Sequence, residues 1–387
     1  MTGLLTSVLH ERADAAPGPD LDLDAIIRDG DRRVRRHRVT NGLVAAGVAG
    51  LLAASALALT GPTGGQDDLV ADSPDSPAFA DREPAYAFGS TVHLGARTFD
   101  VGQPVASFVQ TDDGVVFTTR NGDVRVYDGA GSDVVGRAEG NRLRADDSGS
   151  LVSWVQRAED GHPQYVVFDT ARQEEVARID DQAAGASLEP HDWGAQVFAV
   201  DDGSVYWRHG PDLVRYDVQA GRESVVHTST PLADPATKGG PVVGQIVDVA
   251  DGTVAYTVEG GQDRWGIAVG QRLDPDGAVL AEPDSARGVL SPDARLLAVE
   301  QFDTMAIRAT DDGADRTPTV GGYAYVVAYG WTGHDTAAVL ALRDYTSTRA
   351  TGDVLSCDVS DDACTVVSSF DDVRAGSMVL AGGDPVT

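Results

Sequence analysis

From Ala85 onward, short runs of alternating apolar and polar residues are separated by turns rich in Asp and Gly, a pattern that predicts many short β-strands. Four of these runs are apolar strands that close on an aspartate: Val124–Asp128, Tyr165–Asp169, Leu213–Asp217 and Val354–Asp358. The closing aspartates lie 41, 48 and 141 residues apart, and the last interval is about three periods of 47. A strand, a turn and a second strand precede such runs, as in Ala106–Gln110, Asp112-Asp113-Gly114 and Val115–Thr119. The repeating unit is therefore four antiparallel strands in about 40–50 residues.

A four-stranded unit with this period is typical of one blade of a β-propeller. One twisted sheet cannot cover both of its faces, whereas sheets packed face to face around an axis cover each other. Six units begin near Val105, Leu143, Leu188, Gly244, Gly288 and Tyr325. A seventh can be assembled from the two ends of the repeat region, from Tyr86–Phe88, Thr91–Leu94, Arg97–Val101 and Gly376–Leu380. We expect an all-β propeller of seven blades over residues 85–387, although six or eight blades also fit the period.

An uncharged stretch upstream of the repeats, Gly42 to Leu59, predicts a transmembrane helix. Its 18 residues would span about 27 Å as a helix, just long enough for a bilayer core of about 30 Å. A positive flank precedes it, made of Arg28, Arg32, Arg33, Arg35, Arg36 and Arg38. Because clustered positive charge stays on the cytoplasmic side, we expect a single-pass cell-membrane protein with a cytoplasmic tail at 1–38, a helix at 39–60 and the remainder outside. A cleaved signal peptide ending at Ala56-Leu57-Ala58 and a buried helix of a soluble protein are the alternatives.

Residues 61–84 are dominated by Gly, Pro, Asp and Ser without periodicity, which predicts a flexible linker before the propeller. Charge is distributed unevenly about the apolar stretch. Residues 1–41 hold seven arginines and seven carboxylates, so the formal charge of −30 falls entirely beyond them. Such a surface repels nucleic acid and attracts cations and basic partners.

Two cysteines, Cys357 and Cys364, flank a predicted hairpin turn. This spacing places them on facing strands, where a disulfide is geometrically reasonable, and such bridges persist outside the cytoplasm. A metal site built on this pair is disfavoured because no second pair or His cluster lies nearby.

Sequence motifs for catalysis, such as G-x-S-x-G, H-E-x-x-H and the P-loop, are missing, and we predict no catalytic, cofactor or metal residues. Two clusters in predicted loops or strand ends combine His, Asp and Trp and are the candidate ligand contacts: His191, Asp192 and Trp193, and Trp331, His334 and Asp335. Hydrogen-bonded turn residues beside a packed Trp are the competing interpretation. The Asp-rich turns 274–277 and 311–313 are interpreted as turns rather than calcium loops, because neither completes the calcium-loop pattern. Trp154, Trp207 and Trp265 lie in predicted strands and are expected to pack between blades.

The segment Gly288 to Val299, with the sequence GVLSPDARLLAV, resembles the Ser-Pro-Asp-Gly turn and following strand of TolB-like and WD40-like propeller repeats. Ala294 stands where those repeats usually carry the turn glycine. The resemblance covers about residues 85–380 and implies the fold, whereas this fold hosts binding platforms, sensors and enzymes alike. The layout of arginine-rich tail, single anchor and acidic propeller is similar to that of uncharacterised membrane-anchored actinobacterial propeller proteins.

These observations predict a membrane-anchored, extracytoplasmic propeller that acts as a non-catalytic binding or scaffolding module. Its partners would be the membrane, through residues 42–59, and an unidentified protein or extracellular ligand, and the outside domain would be monomeric. One alternative is a hydrolase or lyase acting on extracellular glycan or peptide, and another is a sensor that signals through the tail. An enzyme is expected to gather His, carboxylate and Arg around one funnel, whereas a platform is expected to expose an apolar or aromatic patch.

Overall fold

A computed structural model describes residues 79–382, apart from 141, 181–194, 210–211, 227–242, 261–263, 282–286, 347 and 375–376. The predicted tail 1–38, the predicted helix 39–60 and most of the predicted linker lie outside the described residues. Among the residues that the structure describes, no helix is long and apolar enough to cross a bilayer.

The described strands form seven antiparallel sheets, one for each blade of a propeller. Blade 1 is built from both ends of the described chain and contains β1 (Ala85–Phe88), β2 (Thr91–Leu94), β3 (Arg97–Asp100) and β27 (Met378–Leu380). Blade 2 contains β4 (Val105–Thr111), β5 (Gly114–Thr119), β6 (Asp123–Tyr127) and β7 (Ser132–Arg137). Blade 3 contains β8 (Leu143–Ala145), β9 (Leu151–Arg157), β10 (Pro163–Asp169) and β11 (Glu174–Asp180).

Blades 4 to 7 repeat the arrangement with one variation. Blade 4 contains β12 (Val197–Asp201), β13 (Ser204–His209), β14 (Asp212–Asp217) and β15 (Arg222–Val225). Blade 5 contains β16 (Val243–Ala250), β17 (Thr253–Gly260), β18 (Arg264–Gly270) and β19 (Val279–Ala281). Blade 6 has three strands, β20 (Gly288–Leu290), β21 (Leu296–Gln301) and β22 (Thr304–Ala309), with a single bridge from Arg308 to Asp315 in the place of a fourth. Blade 7 contains β23 (Tyr325–Trp331), β24 (Thr336–Tyr345), β25 (Arg349–Asp358) and β26 (Ala363–Arg374).

The prediction of seven blades, with the seventh closed by the late strand, is confirmed. Strand β27 pairs antiparallel with β1, with Tyr86 opposite Leu380 and Phe88 opposite Met378. This closure removes the unpaired strand edge that an open ring of sheets would leave. The predicted unit starts match the first strands of their blades, except that blade 4 begins at Val197, whereas Leu188 lies outside the described residues.

Apolar side chains fill the seven blade interfaces, and each of the seven described core clusters contains residues from two neighbouring blades. Trp154 lies in the cluster between blades 2 and 3, and Trp207 stacks on Tyr165 between blades 3 and 4 with ring centroids 4.8 Å apart. Both were predicted as packing residues. Trp265 differs, because it lies over Gly244 of its own blade and is 46% exposed.

The predicted disulfide is present. Cys357 in β25 lies directly opposite Cys364 in β26, their Cα atoms are 4.0 Å apart, and the sulfurs are bonded. The bridge ties the outer strand of blade 7 to the strand that precedes it, because β26 is the edge of that sheet.

Strand alternation divides the turns between the two ends of the propeller. The turns from the first to the second strand and from the third to the fourth lie at one end, and those from the second to the third lie at the other. We call the first of these the acidic end, because its first-to-second-strand turns carry Asp residues in every blade from 2 to 7: Asp112, Asp113, Asp146, Asp147, Asp202, Asp251, Asp293 and Asp335. Two of the turns have the left-handed backbone of tight hairpins, with φ of 43° and 69° at Asp202 and Gly203 and of 44° and 66° at Asp251 and Gly252.

Candidate functional site: an acidic channel mouth

The first strands of the blades line the central channel, and those of blades 3, 4 and 5 bring four carboxyl groups to its mouth at the acidic end. Asp146 and Asp147 follow directly after β8, Asp201 is the last residue of β12, and Asp248 lies two residues before the end of β16. Because β8, β12 and β16 are successive members of the inner ring, their ends converge around one opening. We call these four residues the channel-mouth carboxyls.

Three of the four carboxyls hold neighbouring blades together. Asp201 accepts hydrogen bonds from the backbone N–H groups of Asp251 and Gly252, both at 3.0 Å, in the turn of the next blade. Asp146 accepts in the same way from the backbone of Gly203 in blade 4. The Oδ2 atom of Asp248 accepts from the backbone N–H of Leu290 in blade 6 at 2.8 Å. These acidic residues therefore serve as acceptors for backbone N–H groups of the next blade that would otherwise be left unpaired.

Burial raises the pKa of all three of these carboxyls above its ordinary value. For Asp146 and Asp201 the backbone hydrogen bonds oppose this shift without cancelling it. Burial raises the pKa of Asp248 to about 6, in spite of the hydrogen bond from Leu290 and the positive charge of Arg144. The charged forms of these three carboxyls are therefore destabilised at the mouth.

Asp147 differs from the other three, because its side chain has no hydrogen-bond or ion-pair partner among the described residues. Burial, together with the negative charges of Asp248 and Asp146, raises its pKa to about 7 against the opposing positive charge of Arg82. The residue is exposed at the mouth, so water reaches its carboxylate. Blades 3 and 5 are not neighbours, so Asp147 and Asp248 act on each other from two separate sheets.

Two arginines reach the same mouth. Arg82, in the segment before β1, donates through Nε to the carbonyl oxygen of Asp147 at 2.8 Å and pairs with Oδ1 of Asp112 at 2.9 Å. Arg144, in β8, donates to the carbonyl oxygens of Phe198 in blade 4 at 2.9 Å and Gly382 beside blade 1 at 3.0 Å. Arg144 therefore joins two blades that are not adjacent to each other.

The end of the predicted linker takes part in this arrangement. Phe79 is 3% exposed and packs edge-on against the rings of Phe99 and Tyr127, at 5.9 and 6.5 Å between centroids. Gln110 donates to the carbonyl oxygens of Phe79 and Asp81. Residues 79–84 thus pack on blades 1 and 2 and direct Arg82 into the mouth.

The six candidate ligand contacts are distributed as follows. His191, Asp192 and Trp193 lie outside the described residues. Trp331 packs between blades 6 and 7 and donates through Nε1 to the carbonyl oxygen of Val289 at 3.2 Å. His334 and Asp335 lie in the turn between β23 and β24 at the acidic end, where the Nδ1 atom of His334 is 3.6 Å from Oδ2 of Asp293. The Asp335 carbonyl accepts from the backbone N–H of Val359 at 2.8 Å.

The Asp-rich turns outside the mouth use their carboxylates locally. Asp274 accepts from the backbone N–H of Asp276 at 3.0 Å, and Asp312 accepts from that of Ala314 at 2.8 Å. No group of three or more His, Cys, Asp or Glu residues suited to a metal ion is present in the described part of the chain.

Sequence reasoning missed the channel mouth, although one signal for it was present. Asp248 interrupts the apolar run Ile246 to Ala250. A carboxylate in an apolar inner strand is costly to bury unless it is hydrogen-bonded or has a functional role. The convergence itself depends on which strands form the inner ring, and no local pattern contains that information.

Comparison with known proteins finds distant structural similarity only. No protein-family model matches the chain, and no curated protein matches it. Similar solved structures include TolB from Acinetobacter baumannii, 13% identical with a TM-score of 0.38 over 61% of this chain and 63% of that one. They also include a putative TolB from Agrobacterium tumefaciens, 10% identical with a TM-score of 0.37 over 76% of this chain and 91% of that one. A third is PorZ of Porphyromonas gingivalis, described as a bacterial surface component of the type-IX secretion system, 14% identical with a TM-score of 0.41 over 76% of this chain and 38% of that one.

This chain therefore spans less than two thirds of the first of these proteins and well under half of the third. The chain is a seven-bladed β-propeller, as its own sheet order shows.

Proposed function

We propose that this chain is a membrane-anchored, extracytoplasmic propeller that acts as a non-catalytic binding or scaffolding module, and that its ligand meets the acidic end. The observation that carries the proposal is the convergence of Asp147, Asp248, Arg82 and Arg144 on one opening from blades that are not all neighbours. Charged groups placed around one concave opening can select a ligand by charge and shape together.

Two features support the proposed location. The apolar stretch 42–59 with its arginine-rich flank is suited to anchor the chain with its N-terminus in the cytoplasm. The disulfide between Cys357 and Cys364 is suited to an oxidising compartment outside it. The partner would then be an extracellular ligand or protein, and the closed ring would be monomeric.

The opposite end of the propeller offers a different kind of surface. Trp265, Phe302 and Tyr345, from the successive blades 5, 6 and 7, are 46%, 50% and 37% exposed there. Their positions suit an apolar contact, but each ring belongs to a separate blade. The acidic end is the better candidate for the binding site, because its charged groups act on each other at the mouth.

An extracellular hydrolase or lyase is the second candidate, and Asp147 is the observation that favours it. A carboxyl whose pKa lies at about 7 can give or take a proton near neutral pH, which is what a general acid or base requires. The mouth also contains the Arg that such a site was expected to gather.

Site-specific photo-crosslinking in intact cells tests the proposal on the full-length protein. A photoreactive amino acid would replace Ser148 in the turn beside Asp147, and in a matched variant it would replace Asp344, which is exposed near the opposite end. We expect a cross-linked adduct from position 148 and none from position 344. An adduct from position 344 alone would move the site to the aromatic end, and no adduct from either position would refute the binding function.

A further inference from the structure

A short segment before the first strand lies across the acidic end of blades 1, 2 and 3. We call residues 79–82 the strap. They belong to no strand, since β1 begins at Ala85, and no bond between backbone groups joins them to a sheet in the described part of the chain. Side chains hold the strap instead, so it can leave without breaking a β-ladder. The strap-binding surface consists of Phe99, Gln110, Asp112, Tyr127 and the backbone carbonyl of Asp147.

The first strap position fills an aromatic slot between blades 1 and 2. The rings of Phe99 and Tyr127 are stacked, with centroids 4.9 Å apart, and Phe79 stands perpendicular to both at 5.9 and 6.5 Å. Phe79 is 3% exposed, so the slot encloses its ring. Edge-to-face contacts of this kind stabilise an aromatic ring beyond the apolar area that it buries. The slot is therefore suited to an aromatic side chain.

The fourth strap position places a guanidinium group between blades 2 and 3. Arg82 pairs through Nη2 with the carboxylate of Asp112 at 2.9 Å and donates through Nε to the carbonyl oxygen of Asp147 at 2.8 Å. Its side chain is 15% exposed. A planar guanidinium offers N–H groups in a fixed fork and so meets a carboxylate and a carbonyl at once, whereas lysine has no such fork. This position is therefore suited to arginine.

The strap-binding surface also contacts the main chain of the strap. The side-chain amide of Gln110 donates to the carbonyl oxygens of Phe79 and Asp81 at 2.6 and 3.0 Å. Ala80 and Asp81 are exposed, so the two middle side chains are not selected. Contact with main-chain carbonyls, combined with pockets for particular side chains, is how proteins bind extended peptides. The strap is thus bound as a peptide ligand would be.

We infer that the strap-binding surface is a docking site for a peptide segment of a partner protein that carries an aromatic residue three positions before an arginine, and that the strap occupies this site in cis. This inference rests on the proposed binding function at the acidic end and names the class of partner. The partner segment would displace the strap and take over its contacts. Pro84 would stay on the propeller, because its carbonyl accepts from the backbone N–H of Gly95 at 3.1 Å. A tethered competitor of this kind acts at an effective concentration on the order of millimolar.

Fluorescence anisotropy on the full-length protein in detergent micelles tests the inference. The probe is a fluorescein-labelled peptide that copies residues 77–84, and the control peptide has alanine at the positions of Phe79 and Arg82. We expect the double substitution Phe79→Ala and Arg82→Ala to release the strap and to tighten probe binding by about tenfold or more over wild type, because the competitor in cis is removed. The control peptide should bind neither protein.

The double variant should keep its β-sheet circular dichroism spectrum, because no strand pairing is lost. Arg82→Ala alone, which leaves Phe79 in its slot, should tighten probe binding by a smaller factor, and it carries the same comparison if the double variant does not fold. Asp81→Asn is the matched control, since the side chain of Asp81 is exposed in the strap, and its effect should stay within about twofold. Adding Gln110→Ala to the double variant should weaken probe binding by about tenfold, because two hydrogen bonds to the peptide are lost.

A folded variant with a released strap that binds the probe no better than wild type would overturn the inference, and so would equal binding of the control peptide. Wild-type dimers that the probe dissociates would also overturn it, because they would assign the surface to the strap of a second copy. An adduct from position 148 without probe binding would defeat this inference alone, whereas no adduct from either cross-linking position would refute the binding function, so the two failures can be told apart.

Discussion

Asp353 shows at the residue scale how this propeller accommodates a buried charge. It is 1% exposed, and its Oδ2 atom accepts from Tyr323 at 2.7 Å and from Arg343 at 2.6 Å, while Ser369 donates to Oδ1. Burial alone would raise its pKa, but the hydrogen bonds from Ser369 and Tyr323 and the charge of Arg343 outweigh it, and the pKa lies below its ordinary value. Asp353 is thus a satisfied structural carboxylate, in contrast to Asp147.

We expect Asp353→Asn to lower the free energy of unfolding by about 2–3 kcal/mol, because it leaves Arg343 and Tyr323 facing a neutral amide. Urea unfolding at neutral pH measures the change. Asp371→Asn is the control, since Asp371 is 84% exposed and 3.7 Å from the same arginine, and its cost should be below about 0.5 kcal/mol. Equal costs for the two variants would contradict the account of the buried network.

Sequence reasoning could anticipate turn chemistry but not such networks. The substitution of Ala294 for a turn glycine in the 288–299 repeat is visible in the sequence, and Ala294 indeed has a φ of +54°. The partners of Asp353 lie 10, 16 and 30 residues away on other strands or loops, so they become neighbours only when blade 7 is assembled.

At the element scale, the inner and outer strands of a blade differ in burial. Inner strands are packed on both faces by neighbouring blades, whereas outer strands such as β15 and β26 are largely exposed. Strand β27 is the inner strand of blade 1 and closes the ring, so its three residues support two interfaces at once. The repeat period predicted this closure, because the N-terminal strands were one short of a full blade.

Val379→Asp in β27 should therefore destabilise the propeller by more than about 4 kcal/mol, because it buries an unpaired charge at the closure. Val366→Asp provides a matched control in the outer strand β26, where Val366 is 57% exposed, and its effect should stay within about 0.5 kcal/mol. Thermal unfolding of both full-length variants measures the difference. A Val379→Asp protein as stable as the control would mean that β27 does not close the ring.

At the scale of the whole molecule, the acidity is organised rather than spread evenly. The sequence places the −30 formal charge beyond residue 41, and composition alone suggests no more than a soluble acidic surface. Assembly of seven blades brings the first-to-second-strand turns to one end and sets four carboxyls of blades 3, 4 and 5 around the channel. That convergence could not be predicted, because it depends on ring order and on which strand of each blade faces the axis.

The raised pKa values at the mouth make the stability of the propeller depend on pH in an unusual direction. A carboxyl with a pKa near 7 in the folded state and near 4 in the unfolded chain binds more protons when folded between those values. Stability should therefore rise as the pH falls through about 7, opposite to the effect of carboxyls such as Asp353. Ordinary carboxylates remain charged in that range but histidines do not, so the contribution of the channel mouth is the difference between wild type and a variant that lacks the Asp147 carboxyl.

The most direct test of the central claim, that Asp147 is an unpartnered carboxylate held among other carboxyls at the mouth, is the melting temperature of the full-length protein at about pH 8 and about pH 6. We expect wild type and Asp113→Asn, which lacks an exposed carboxylate in the blade 2 turn at the same end, to gain no more than about one or two degrees on acidification. The gain is small because Asp147 is exposed to solvent, and because a chain of more than about 250 residues shifts by less than about 2–4 °C per kcal/mol. Asp147→Asn should already melt higher at about pH 8 and should lose most of the further gain. Equal gains in Asp147→Asn and wild type would contradict the account.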